Sequence, residues 1–465
     1  MLPYKQNKTS GKIMLDKKKL SSKMVNKERA VLSIKSGGGT GPAMPGNPWK
    51  REGAKSCGIE RFRAIGTGTE IPFRNPPEGD FYFRRQVVKL STQAVQVGLN
   101  WDGRTGAVTV PIYQTATFKH PGLGQSTGYD YSRSGNPTRK VLEDGIAALD
   151  GGVRGFAYSS GMAAITNLLL LFSKGDHLIV TEDLYGGTYR LFEQIFRQYD
   201  LSFTYVDTSV LSEVEKAIRP ETKGLFVESL TNPLLKAADV RGLSELCAAR
   251  DILCIVDNTF LTPYLQRPLD LGADITVYSA TKYLAGHNDT VAGLVVVKDP
   301  GLAEKVYFLQ NSVGAVLGPQ DSWLVIRGMK TLGIRLDRQQ ENAQKIAEWL
   351  AGHPKVRQVY YPGLAGHPGH ALLAETARGF GAMVSFEVID PLLVERLLLK
   401  TEIISFAESL GGVETLITFP EVQTHADILP EIRARLGINH LLLRLSVGIE
   451  DVDDLIGDLA QAFEY

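Results

Sequence analysis

Leu253-Cys254-Ile255-Val256-Asp257 and then Ile275-Thr276-Val277-Tyr278-Ser279-Ala280-Thr281-Lys282 are two apolar, β-branched runs, each ending in polar residues. Neither alternates strictly between apolar and polar, as a strand with one wet face would, so both read as strands buried on two faces. Outward from this pair, similar short runs recur at 155–159, 177–180, 203–206 and 224–227, and helix-period stretches at 161–172, 186–198, 211–218 and 240–250 separate them. That alternation predicts parallel strands joined by crossover helices, a large α/β domain. Past 333–335 the pattern changes. A long amphipathic helix over 337–352 precedes fewer, more separated strands at 382–388, 414–419 and 441–447, which predicts a smaller α+β domain.

The chain has 465 residues, with 51 Lys and Arg against 51 Asp and Glu, the size and balance of a globular enzyme of two or more domains. Its longest apolar run, 168–172, stops at Ser173-Lys174-Gly175-Asp176, well short of the roughly 20 residues a membrane helix needs. Cys57, Cys247 and Cys254 make neither an even-numbered disulfide framework nor a metal-ligand spacing, so the expectation is a cytoplasmic protein without a metal. The zero net charge hides an asymmetry: residues 1–88 are basic (Lys17, Lys18, Lys19, Lys23, Lys27, Arg29) and rich in glycine and proline, with no lasting helix or strand period. They read as a disordered extension. The stretch lacks the aromatic interleaving of a nucleic-acid binder, the amphipathic face of a membrane binder and the apolar core of a targeting peptide. A translation start near Val87 or Val88 is a further reading.

In an open parallel sheet ligands gather at the carboxyl ends of the strands, so the polar residues ending each run are read together. Lys282 follows a buried strand with Ser279 and Thr281 beside it; burial lowers a lysine's pKa, and only the neutral amine attacks an aldehyde. Asp257 ends its strand as a carboxylate suited to keeping a pyridine nitrogen protonated. Tyr158-Ser159-Ser160-Gly161-Met162-Ala163-Ala164 is a strand that breaks at glycine and opens a helix, where backbone N–H groups cradle a phosphate. Each feature alone has an ordinary structural reading: a solvated lysine, a turn aspartate, a glycine that eases a tight turn. Arg444, inside the run Leu441-Leu442-Leu443-Arg444-Leu445, is a buried cation in need of an anion and suits a substrate carboxylate, with Ser409 assisting. His287 and His425 stand without metal-ligand company and read as structural.

Taken jointly, Tyr129-Asp130-Tyr131-Ser132-Arg133 with Gly135-Asn136-Pro137-Thr138, Ser160-Gly161-Met162, Asp257-Asn258-Thr259, Ser279-Ala280-Thr281-Lys282 and Arg444-Leu445-Ser446-Val447-Gly448 resemble the cysteine/methionine-metabolism family of pyridoxal-phosphate (PLP) enzymes. The likeness runs from about Thr92 to the carboxyl terminus and leaves the basic extension outside it. It implies an aspartate-aminotransferase-like PLP fold, with 89–135 an arm reaching a neighbouring subunit, 136–333 the large PLP-binding domain and 334–465 the α+β domain. It further implies that Lys282 binds the cofactor covalently and moves protons, Asp257 pairs with the pyridine nitrogen, Tyr185 stacks on the ring, and Asn232 touches the phenolic oxygen. Phosphate contacts are expected from Gly161, Met162, Ser279 and Thr281, with Tyr131 and Arg133 supplied by the neighbour in a dimer that pairs into a tetramer.

Within the family, Glu408 and the run Phe406-Ala407-Glu408-Ser409-Leu410-Gly411-Gly412 resemble the γ-synthase and γ-lyase branch, where a carboxylate attracts the ammonium of cysteine or of the distal end of cystathionine. The segment 423–427 and the stretch 184–192 are similar to bacterial cystathionine γ-synthases that double as O-acetylhomoserine thiol-lyases. The expected reaction is therefore γ-replacement on an O-acylhomoserine, with β- or γ-lyase as the alternative. An aminotransferase and a non-catalytic PLP-binding regulator are more distant ones.

Overall fold

The computed structural model describes residues 88–99, 101–426 and 428–464, so the expectations for the basic extension lie outside the described residues. Seven strands form the first sheet: β1 (Arg154–Tyr158), β2 (His177–Thr181), β3 (Ser202–Val206), β4 (Thr222–Glu228), β5 (Leu253–Asp257), β6 (Ile275–Ser279) and β7 (Gly293–Val297). Their spatial order is β1-β7-β6-β5-β4-β2-β3. β7 runs antiparallel to both its neighbours and the other pairings are parallel. All six predicted strands are present within a residue or two of their expected ends. β7 was not predicted: its run Gly293-Leu294-Val295-Val296-Val297 has the composition of a buried strand, but no crossover helix separates it from β6.

Burial on both faces explains why these strands lack alternation. Cys254 and Val256 of β5 pack into the apolar cluster on one side of the sheet, and Ile255 packs into the cluster on the other. Each fully buried Val or Ile contributes roughly 1.5–3 kcal/mol, so both layers of helices are held by the same strands. Some of the helices begin at side-chain caps. Asn136 accepts from Thr138 N and Arg139 N ahead of Pro137–Asp150, and Ser160 accepts from Ala163 N ahead of Gly161–Leu169.

Two predicted helices end differently. The 161–172 helix stops at Leu169, after which Leu171 N and Phe172 N turn back to Leu168 O and Leu169 O and Asp176 receives the Ser173 N–H at 2.7 Å. The 186–198 helix is α-helical only over Gly186–Arg190, then widens into a π turn (Leu191–Ile195) and tightens into a 3-10 turn (Phe196–Tyr199). This rewinding places Leu191, Phe192 and Phe196 all in the core, with the Phe192 ring stacked 4.8 Å from that of Phe203.

Helices Pro300–Val313, Pro319–Met329 and Leu332–Ala351 lead to a second sheet; the last starts five residues before its predicted position. This smaller sheet comprises β8 (Val356–Tyr360), β9 (Met383–Val388), β10 (Ser405–Phe406), β11 (Leu416–Thr418) and β12 (Leu442–Ser446), in the order β10-β11-β12-β9-β8. β9, β11 and β12 match the expected strands. β8 and the two-residue β10 were not predicted, since Val356-Arg357-Gln358-Val359-Tyr360 is too polar and β10 too short for a periodic signal. The molecule thus has the expected plan of a large sheet domain followed by a smaller one. Among the described residues, no helix is long and apolar enough to cross a membrane.

Candidate active site

β4, β5 and β6 are adjacent in the sheet and end at Glu228, Asp257 and Ser279, with Glu228 level with Asp257. These three line a cavity of about 560 Å³. The residues next to them point the opposite way: Ser229, Asn258 and Tyr278 are buried beneath the sheet, where Ser229 Oγ donates to Asn258 Oδ1 at 2.8 Å. Period-two alternation therefore sorts the polar strand ends into a face that meets the cavity and a face that braces it.

Lys282 enters the cavity from the turn after β6, and its Nζ donates to Ser409 Oγ at 2.8 Å. Ser409 takes a left-handed backbone (φ 86°). The Gly411-Gly412 stretch after it lies against the Lys282-Tyr283 backbone, where a Cβ on Gly411 would come within 2.6 Å of Tyr283 N. Burial, and secondarily the Arg444 charge, bring the Lys282 amine down to about 8, against a smaller opposing pull from Glu408.

Asp257 Oδ1 accepts from Thr259 N (3.0 Å) and Thr259 Oγ1 (2.6 Å), which fixes the carboxylate's orientation. Burial raises its pKa to about 6 in spite of the Thr259 bonds. Glu228, pushed well above the usual carboxylate range by burial and by the Asp257 charge, accepts from Tyr185 N at 2.9 Å. Tyr185 is 44% exposed, and its ring lies over Gly187, where a Cβ would be 2.5 Å from Tyr185 Cε1. An aromatic face is thereby parked at the cavity wall.

The helix Gly161–Leu169 starts at the same wall, with Gly161, Met162, Ser279 and Thr281 lining it. Gly161 packs tightly there, since a Cβ on it would meet Ser279 Cβ at 3.1 Å. Backbone donors at a helix start, two hydroxyls, a buried carboxylate and an amine of lowered pKa match the phosphate, the ring nitrogen and the aldehyde of PLP in turn. The donor set fits the cofactor.

Arg444, on β12, is 1% exposed. Its Nη1 donates to Asn232 Oδ1 at 2.8 Å, and its Nη2 donates to Ser409 O at 3.0 Å and Thr418 Oγ1 at 3.2 Å. These partners are all neutral and the Nε atom has none, so the guanidinium still lacks the anion its burial calls for. Desolvation lowers its pKa to about 10. Asn232 is 5% exposed and lines the cavity beside Glu408 and Ser409.

Of the expected site residues, all but Tyr131 and Arg133 line this one cavity. Those two are exposed on the segment before the helix Pro137–Asp150, with the Arg133 guanidinium 5.7 Å from the Tyr131 ring centre. His287 bonds locally to Ala285 O (2.7 Å) and lines no wall. Arg190 and Glu228 line the cavity and were not singled out from the sequence. Glu228 sits one residue beyond the predicted strand end, a place where an acid reads as a turn residue; Arg190 lies one helical turn past Gly187, which was the available signal.

The family model described as Cys/Met metabolism PLP-dependent enzyme matches residues 91–464. The chain belongs to that family. It is similar to a cystathionine gamma-lyase of Bacillus subtilis, at 51% identity over 377 residues, 81% of this chain and 100% of the relative. It is equally similar, at 51% over 378 residues and with the same coverage of both chains, to a cystathionine beta-lyase of Lactococcus lactis subsp. cremoris. A solved cystathionine gamma synthase of Xanthomonas oryzae pv. oryzae, in complex with aminoacrylate and cysteine, superposes with a TM-score of 0.80 at 43% identity, covering 81% of this chain and 98% of that one. The protein is accordingly a PLP-dependent enzyme acting in trans-sulfuration, and small amino acids fit it as substrates.

Proposed function

We propose that the protein is a cystathionine γ-synthase, replacing the acyl group of O-acetyl- or O-succinylhomoserine by the sulfur of cysteine to give cystathionine, and accepting sulfide to give homocysteine. What supports this choice is the resemblance of the 406–412 and 423–427 segments to the γ-synthase branch, together with a cavity wall that holds Arg190 and Glu408 in addition to Arg444. A lone amino acid needs one carboxylate site. A second zwitterion, whether the incoming cysteine or the distal end of cystathionine, calls for a further cation and a further anion, and Arg190 and Glu408 bring those charges to the wall.

Bound PLP supplies the electron sink that makes the substrate's Cα and Cβ protons removable. Arg444 holds the α-carboxylate, and Asn232 steadies Arg444 through its Oδ1. Lys282, its amine lowered to about 8 and so partly neutral near that pH, takes and returns protons, with Ser409 Oγ fixing where its nitrogen points. Across the whole reaction the Cγ–O bond breaks and the acylate leaves. The Cγ–S bond forms, and the thiol proton passes to solvent. Tyr131 and Arg133 complete the phosphate site from a neighbouring subunit.

Carbon–sulfur elimination is the second reading, favoured by the names of the B. subtilis and L. lactis relatives. The two are separated by giving the purified enzyme an O-acylhomoserine with cysteine, and separately cystathionine alone. Cystathionine formation in the first mixture, lost in Lys282→Ala, is the expected result. Pyruvate and homocysteine from the second, without synthesis in the first, assign a β-lyase; 2-oxobutyrate and cysteine assign a γ-lyase.

A further inference from the structure

His425 is a buried titratable group beside the cavity that the chemistry above leaves without a task. It is fully buried, on the segment 419–426 that brings Gln423 and Thr424 to the cavity wall. Its Nε2 lies 2.8 Å from Asn232 O and its Nδ1 2.8 Å from Thr424 Oγ1. A carbonyl only accepts, so Nε2 carries the hydrogen and donates it to Asn232 O, while Nδ1 accepts from the Thr424 hydroxyl. One neutral tautomer satisfies both bonds.

The two partners belong to opposite walls. Asn232 precedes Pro233 in the chain that leaves β4, and its Oδ1 receives Arg444 Nη1. Thr424 lies on the stretch after β11, and its carbonyl oxygen would be 2.5 Å from a Cβ on Gly186, so the segment seats directly on the turn that carries Tyr185. Arg433 Nη1 donates to Glu421 O (3.1 Å) and His425 O (3.2 Å), closing the segment from behind. Ser385 Oγ donates to Pro233 O at 2.7 Å, a second tie from the smaller sheet to the same turn.

We infer that His425 is a positioning residue: its ring latches the 419–426 segment to the Asn232-Pro233 turn and thereby holds Asn232 where it orients Arg444 for the substrate carboxylate. Burial, with the nearby charges of Arg444 and then Arg433, keeps the imidazole neutral by lowering its pKa to about 3, so the tautomer that makes the latch persists across the working pH range. A phenyl ring would fill the same space without tying either wall.

This inference rests on Arg444 being the carboxylate site, and its test uses no turnover. Glycine is titrated into the PLP-loaded enzyme and followed by the change in cofactor absorbance. His425→Phe is expected to weaken glycine by about tenfold or more, the loss of one well-placed hydrogen bond to the support of a charged site. His425→Gln, which keeps an N–H donor, is expected to recover most of that loss, with cofactor content and thermal midpoint close to wild type. Wild-type glycine affinity in His425→Phe, or equal damage in the Phe and Gln variants, overturns the latch. Should His425→Phe fail to fold, Thr424→Val removes the hydroxyl that fixes the ring; about threefold weaker glycine is expected, and unchanged affinity overturns the inference. Arg444→Lys separates the two claims: if it binds glycine normally, the carboxylate reading fails whatever His425 does.

Discussion

Lys282 must lose a proton before it can attack a carbonyl, and its surroundings set the pH at which that happens. A solvated lysine is protonated up to about pH 10, whereas this one, with its burial and the Arg444 charge, releases its proton near 8. The sign is plain: a lowered pKa moves the onset of reactivity to lower pH. The rate of PLP capture by cofactor-free protein, followed by stopped-flow absorbance, is therefore expected to climb through pH 8 and flatten above about 9. A rate still climbing at pH 10 would show the amine to be solvated. Lys282 and Asp257 were legible in the sequence because each is a polar residue ending an apolar run. The bond from Arg444 to Asn232 was not, because it spans 212 positions and only the folded chain brings the two together.

At the scale of elements, β7 shows where pattern reading runs out. Periodicity finds strands but carries no direction, and a strand that returns antiparallel without an intervening helix breaks the alternation on which the parallel reading relied. Direction was set by contacts instead. Gly293 at the start of β7 lies so close to the turn before the helix Gly161–Leu169 that a Cβ there would sit 2.1 Å from Ser160 O. No side chain can move away to relieve that contact, because the opposing atom is backbone. Gly293→Ala is expected to displace the Ser160-Gly161 turn, lowering PLP affinity tenfold or more and stability by about 2 kcal/mol, measured by cofactor titration and urea unfolding. An alanine variant that binds PLP as tightly as wild type would mean the cradle does not depend on that turn.

For the molecule as a whole, the stretch from Trp101 to Gly135 contains no regular helix or strand and leaves Val108, Leu123 and Tyr131 exposed. An apolar arm of this kind is poorly suited to water, and the resemblance assigns its Tyr131 and Arg133 to a neighbour's phosphate site. If each site is shared, Lys282→Ala and Arg133→Ala subunits are both inactive alone but complement when mixed. Unfolding and refolding an equal mixture is expected to restore about a quarter of wild-type activity, because half the dimers are mixed and each mixed dimer has one intact site. No recovery would place Arg133 in its own subunit's site, and an Arg133→Ala enzyme active by itself would place it outside any.

The opposed facing of neighbouring residues at the ends of β4, β5 and β6 also limits how this protein can change through evolution. Loops may gain or lose residues singly, but within a strand a change of one position turns every later side chain over. A single deletion inside β5 would carry Asn258 into the cavity and drive the Asp257 carboxylate under the sheet among Ser229 and Tyr278. Length variation in these three strands is therefore confined to pairs of residues, while the connections between them are free to drift.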